Sequence, residues 1–442
     1  MKQTFGRAFF RTRIPGLLRG EPSLALLGVL GGAFTGLVGS LLVARFLSPS
    51  ERGHYATVVV FTMLALACLQ MGGEVGVLRG ITDTEDGGAS FLAGYLHWTL
   101  VSSAAVGIVA AAASPAVPWL QPLWLVPLCA TAAVYSGLVA RMTAGILVNS
   151  GGLRRLILAR TVANCGTIPG CLLCLSLGLT SALQVATLSF VVQGALNSFL
   201  FVRARSAVES PITGSTGWWK GRKARHRTMA LVWRRGNVHL HVLSGSTYVV
   251  QRSDQMALSA LGADRTLGLY AVAMNVSEVI GYLPAALYPL LSRGRPDRPV
   301  PLRRLLLLLA VCVAAVTPLA YFGLPFLYGA EYEAAQPAVL LLVPASGIFA
   351  VGRMVQGIEL RDPERRMNLA LIALAAAAIE FAAVFLVGAS GVMAVALACS
   401  TSYAVFTAWV AFTRTNKTSS SASTAQREGA PWGSGRKIRA EN

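Results

Sequence analysis

The sequence predicts an all-α polytopic membrane protein, with about twelve transmembrane helices in two six-helix lobes. Three observations carry this prediction. Apolar stretches of bilayer length fill the chain, basic residues collect on alternate connections, and a motif of the first quarter returns past the midpoint. Hydrophobic residues make up 54% of the 442 and charged residues 13%, with a mean hydropathy of +0.59. Apolar surface this extensive has to be solvated by lipid. Crossing a hydrocarbon core of ~30 Å takes ~20 helical residues at ~1.5 Å rise.

Residues 1–22 form a basic amino-terminal segment expected in the cytoplasm, with Lys2, Arg7, Arg11, Arg13 and Arg19. The first span, 23–44, is too long for a signal-peptide core and eleven more follow, so it reads as an uncleaved anchor. Spans 55–78, 89–113, 119–140, 156–178 and 182–202 complete an amino-terminal lobe over 23–202. The linker 203–236 carries Trp218, Trp219 and Trp233 among seven Lys and Arg between Lys220 and Arg235. That mixture suits either a segment lying at the headgroup surface or a solvated basic connection. Spans 237–259, 267–291, 305–323, 337–360, 367–388 and 391–412 make a carboxy-terminal lobe over 237–412. The tail 413–442, with its run Ser419-Ser-Ser-Ala-Ser-Thr424, is low in complexity and expected to be disordered.

A net charge of +19 invites comparison with nucleic-acid binders, and its distribution answers that. With the amino terminus inside and twelve crossings, the cytoplasmic segments hold 32 of the 38 Lys and Arg. The external turns hold only Arg45, Arg52 and Arg265. This is the positive-inside pattern, and it orients both termini to the cytoplasm of a plasma membrane. The basic excess reports topology and contact with anionic lipids at the cytoplasmic face, not nucleic acid. Segment 79–90 fits poorly, setting Arg79 against Asp83, Glu85 and Asp86. All seven cysteines fall inside apolar spans, and the Cys171/Cys174 pair lacks a nearby His or second pair, so they read as small packing residues.

The chain nearly repeats itself. Leu47-Ser-Pro-Ser-Glu-Arg-Gly53-His-Tyr55-Ala56 enters the second span, and Leu261-Gly-Ala-Asp-Arg-Thr-Leu-Gly268-Leu-Tyr270-Ala271 enters the eighth with one extra residue. Both helices are expected to end in an arginine, Arg79 and Arg293. A unit of six spans starts each copy on the same side, which predicts parallel repeats about an axis along the membrane normal.

Charges lie inside the spans. Arg252 and Asp254 fall on the seventh, Asn275 and Glu278 on the eighth, Arg353, Gln356 and Glu359 on the tenth, and Glu380 on the eleventh. Each charge at the centre of a lone helix costs ~2.5–3.5 kcal/mol, so together they must face one another or a water-filled cavity. Arg353, Gln356 and Glu359 at i, i+3 and i+6 form one stripe, and Asn275 with Glu278 a second. Arg252 and Asp254, two apart, point to roughly opposite sides. Arg141, Glu74, Arg160 and Glu359 sit near helix ends, where snorkelling or helix-end solvation suffices. His97 beside Trp98 reads as a packing residue. Pro284, Pro289 and Pro344 can kink helices and free carbonyls toward a cavity.

The stretch Ala44-Arg45-Phe-Leu47-Ser-Pro49-Ser-Glu-Arg-Gly53-His-Tyr55 resembles the first external turn of bacterial polysaccharide flippases. Their superfamily also contains the multidrug (MATE) exporters and the peptidoglycan lipid II flippase. Asp254 with Leu261-Gly262, Gly268-Leu-Tyr270-Ala271 and Leu283-Pro-Ala-Ala-Leu-Tyr-Pro289 resembles the entry to that family's second half. Tyr328-Gly-Ala-Glu-Tyr332 resembles its turn before the tenth span, and the similarity covers roughly 20–412. The resemblance implies a central cavity opening alternately to each side, and a polyprenyl-diphosphate-linked oligosaccharide as cargo. Arginine guanidinium suits phosphate oxygens. Arg252 and Arg353 are then the candidate headgroup ligands, with Gln356 and Asn275 lining the same cavity. Asp254, Glu278 and Glu380 are candidate proton or Na⁺ coupling sites, and Asp254 matches a recurring acid of the family. No cofactor is expected. A polysaccharide polymerase and glycosyltransferases are the implied partners. A multidrug cation antiporter is the alternative, and a membrane polymerase or ligase is disfavoured by short external turns.

Overall fold

The computed structural model describes residues 21–70, 89–117, 119–120, 122–149, 161–162, 165–205, 238–282, 302–359 and 365–428. Among them every regular element is helical and no strand occurs. The basic segment 1–20, Glu74, Arg79, Arg160, the linker tryptophans, Pro284 and Pro289 lie outside the described residues.

The first half contains α1 (Glu21–Phe46), α2 (Pro49–Leu69), α3 (Ala89–Ala113), α4 (Leu125–Asn149), α5 (Thr167–Ser176) and α6 (Ala182–Arg205). The second contains α7 (Val238–Val250), α8 (Ser253–Ala260), α9 (Asp264–Ser277), α10 (Leu302–Tyr328), α11 (Gln336–Glu359), α12 (Arg365–Val387) and α13 (Val392–Glu428). Eight helices among the described residues are long and apolar enough to cross a membrane. The remaining four of the twelve expected spans are shorter over the described residues, broken, or partly outside them.

Several boundaries differ from the sequence reading, each for a local reason. The second span begins at Pro49 rather than 55, because Ser48 caps the helix, accepting from the Glu51 amide at 3.4 Å, and Pro49 occupies the first turn. The fourth begins at Leu125 rather than 119, after a connection holding Pro115, Pro118 and Pro122. The seventh is not continuous. It breaks at Gln251 and Arg252, where the Arg252 amide reaches only to the Val249 carbonyl (3.1 Å), a tightened turn that separates α7 from α8. A positive φ at Gly262 (63°) then turns the chain from α8 into α9. The last helix runs on to Glu428, past the boundary at 413 expected for the tail. No Gly or Pro interrupts it before Gly429.

The helix pairing of the first half recurs in the second. In the first, α4 packs on α6 and α3, α5 on α6, and α2 on α4 and α6. In the second, α11 packs on α13 and α10, α12 on α13, and α9 on α11 and α13. Across the halves, α2 lies against α7, α8 and α9, while α1 touches α9 and α10. The closest crossing is reciprocal. A Cβ on Gly53 would fall 1.9 Å from the Asp264 carbonyl oxygen, and one on Gly268 would fall 1.8 Å from that of Pro49. Pro49 stands four residues before Gly53, and Asp264 four before Gly268. The two copies of the repeated motif therefore touch through equivalent atoms, as a local two-fold requires.

Outer faces are apolar. Phe322, Phe326, Leu319 and Leu386 are among the most exposed side chains, as expected where lipid is the solvent. α10 is almost wholly peripheral, whereas α11 is the most enclosed of the long helices.

Candidate functional site

The break between α7 and α8 builds the site. It releases Arg252 from helical register and aims its guanidinium at Glu278, which opens a 3₁₀ turn at the end of α9. The pair is bidentate, Nη1 to Oε1 at 2.7 Å and Nη2 to Oε2 at 3.2 Å. Its side chains remain 22% and 29% exposed. Charges facing hydrocarbon would be costly, so this residual exposure belongs to a polar space between helices. Arg353 stands on α11, where its Nη1 donates to Thr247 Oγ1 of α7 (2.9 Å) and Gln356 Oε1 (2.8 Å). Gln356 is fully buried, and its Nε2 has no protein acceptor.

On the other side of the break, Asp254 and Glu380 are fully buried. Asp254 accepts from the Tyr270 hydroxyl of α9 and from the Gln255 amide (2.6 Å). Glu380 Oε2 accepts from Ser253 Oγ at 2.8 Å, and its Oε1 has no partner. Donor atoms of Asp254, Glu380 and Cys399 all lie within 4.8 Å of one another. Two carboxylates this close, away from water, are stable only with a proton or a cation between them.

The sequence-derived candidates thus separate into groups. Arg252 joins Glu278, so Glu278 is spent on the arginine rather than joining Asp254 and Glu380. Arg353 joins Gln356, but Glu359 pairs with Arg365 across the α11–α12 turn, so the expected stripe splits. Asn275 does not act with Glu278. Its Nδ2 crosses to the first half and donates to Ser40 Oγ on α1 at 2.8 Å. Arg252 and Asp254 diverge across the break, Asp254 meeting Tyr270 on α9 and Arg252 meeting Glu278 in the 3₁₀ turn that follows it. Arg141, expected to snorkel, donates to Tyr248 Oη of the second half at 2.7 Å. His97, read as a packing residue, is exposed.

Sequence reasoning missed Arg52, which was assigned to an external turn. It is only 4% exposed, in the first turn of α2, and donates to Ser40 Oγ at 3.2 Å. Its signal was the Ser48-Pro49 helix start three residues earlier. The halves are also joined by Thr57 and Ser259 hydroxyls (3.0 Å), His54 and Asp264 (3.1 Å), Tyr332 Oη donating to the Leu47 carbonyl (2.8 Å), and Arg45 donating to the Phe326 and Leu327 carbonyls. These contacts gather at the end where α1 stops and α2 begins.

No protein-family model and no curated protein matches the sequence. Solved structures do match. An inward-facing multidrug resistance MATE family transporter of the MOP superfamily superposes with a TM-score of 0.57 at 16% identity, over 93% of this chain and 100% of that one. An outward-facing MATE family structure gives 0.55 at 16%, over 90% and 97%. The lipid II flippase MurJ, in an inward closed conformation, gives 0.53 at 14%, over 89% and 87%. At such identities the likeness is one of fold. The chain is an all-α, multi-pass membrane protein with the fold shared by MATE transporters and MurJ.

Proposed function

We propose that the protein is a flippase that moves a polyprenyl-diphosphate-linked oligosaccharide from the cytoplasmic to the outer leaflet of the plasma membrane by alternating access. The observation carrying this reading is the Arg252–Glu278 pair, polar and part-exposed beside a sealed carboxylate pair. Arginines at this depth favour an anionic cargo, since a diphosphate supplies oxygens that guanidinium groups bind bidentately. An exporter of organic cations is favoured by acids alone, so multidrug antiport stands second, supported by the MATE fold. Asp254 and Glu380 are the coupling site in this reading. A proton or Na⁺ between them is gained in one state and lost in the other, which ties cargo movement to an ion gradient. Both termini lie in the cytoplasm, and the supplying and consuming partners are glycosyltransferases and a polysaccharide polymerase.

The direct trial uses proteoliposomes and a labelled polyprenyl-diphosphate oligosaccharide. Arg252→Ala and Arg353→Ala should each slow translocation at least tenfold, while leaving the protein folded in the membrane. Undiminished movement in both variants, or movement of organic cations in place of the glycolipid, removes the reading.

A further inference from the structure

The junction of the two halves holds a buried cation without a counter-charge. Arg52 is enclosed by Ser40 of α1, Tyr55 of α2 and the Tyr328 end of α10. Its Nη2 donates to Ser40 Oγ, and its Nε has no acceptor although fully buried. Among the described residues no carboxylate lies within ion-pair distance of it. The nearest in sequence, Glu51, is spent on the Ala182 amide (2.8 Å) and His54. Asp264 is likewise engaged by His54. The Tyr55 ring, 5.0 Å from the guanidinium carbon, compensates only part of the lost hydration.

Two further groups around Arg52 can donate. Asn275 Nδ2 donates to the same Ser40 oxygen, and the buried Tyr328 hydroxyl lies near Ser40 and Arg52 without closing a hydrogen bond of ordinary geometry. A guanidinium Nε with no acceptor, beside a buried Tyr328 hydroxyl that closes no hydrogen bond, describes a place that lacks an anion. Ser40 and Asn275 are only half-buried, so the place is not sealed.

We propose that Arg52, Ser40, Asn275 and Tyr328 form a binding site for a phosphate-class oxyanion at the junction of the halves, separate from Arg252 and Arg353. A tetrahedral oxyanion would take the Arg52 Nε and the Tyr328 hydroxyl, and would share Ser40 and Asn275. Its source is either the diphosphate of a lipid headgroup or free phosphate. Only the first alternative rests on the proposed translocation. It would make this a second station for the cargo, nearer the end where α1 meets α2.

The test is equilibrium binding to the full chain in nanodiscs of zwitterionic lipid. Inorganic phosphate is titrated against chloride of equal ionic strength, and then polyprenyl diphosphate is added to the disc. The site predicts a saturable rise in thermal midpoint with phosphate, with polyprenyl diphosphate, or with both. Arg52→Gln should weaken it about 10- to 100-fold, as expected for losing charge-assisted hydrogen bonds, and should not lower the anion-free midpoint. Ser40→Asp places a carboxylate beside Arg52 and should make the protein insensitive to phosphate while still folded, so the proposal stands testable if Arg52→Gln fails to fold. No saturable effect of either anion on the wild type overturns the site. So does an undiminished effect in either variant. Phosphate binding without glycolipid movement would leave the site and remove the transport reading. Glycolipid movement without any such binding would do the reverse.

Discussion

Tyr270 and Glu380 show how single side chains hold the buried acids. Tyr270 is fully buried, and its hydroxyl serves Asp254. Replacing it with Phe removes the donor but keeps the volume, leaving a buried carboxylate short of one hydrogen bond at a cost of ~1–3 kcal/mol. Tyr270→Phe should therefore lower the thermal midpoint, and Asp254→Asn added to it should restore most of the loss. Non-restoration would show that Tyr270 acts by packing alone. Glu380→Gln removes one ionisable member of the close carboxylate pair, whose Oε1 lacks a partner, so stability should hold or rise while, under the proposed coupling, gradient-driven transport falls to the rate of uncoupled exchange. Gradient-driven transport at the wild-type rate would take Glu380 out of coupling. At this scale the sequence spoke unevenly. A charge in mid-span is legible because lipid penalises it, and Arg252, Asp254, Glu278, Arg353 and Glu380 all stood out. Their pairing was not legible, because it depends on a break at Gln251 and Arg252 that no Gly or Pro announces. Arg52 was lost for the opposite reason. Beside a Pro and a Glu it reads as turn, and only the packing of Ser40, Tyr55 and Tyr328 around it removes the water.

Among the elements, the α2–α9 crossing is the decisive one. Its His54–Asp264 bridge is part-exposed, and such pairs are worth ~0–1 kcal/mol. The Gly53 and Gly268 contacts matter more, because the atoms in the way are backbone and cannot rotate aside. Gly53→Ala or Gly268→Ala should force the helices apart at a cost of at least ~1–3 kcal/mol, whereas His54→Ala should cost much less. Thermal midpoints of the three variants check the order, and a His54→Ala loss exceeding either glycine loss would contradict it. The crossing was half visible beforehand: the repeated Gly-x-Tyr-Ala showed that two helices are equivalent. That they meet face to face follows from the symmetry of the assembled halves, which a local pattern cannot state.

For the whole molecule, hydropathy and basic asymmetry carried the class, since lipid permits few architectures with unsatisfied backbone groups. The count of twelve crossings was less secure. α5, α7, α8 and α9 fall short of bilayer length over the described residues, and polar side chains concentrate on the last three. Broken helices where charges gather are expected when non-helical backbone lines a cavity rather than lipid. The interhalf contacts gather near the start of α2 and include Thr57 Oγ1 and Ser259 Oγ at 3.0 Å. In alternating access this junction has to open and close on every cycle.

That requirement can be met head on with the double variant Thr57→Cys, Ser259→Cys in proteoliposomes, measuring glycolipid translocation before oxidation, after oxidation and after reduction. Movement of the two halves predicts that the cross-linked protein stops translocating and that a reductant restores it. Translocation at an unchanged rate with the junction covalently closed would contradict it.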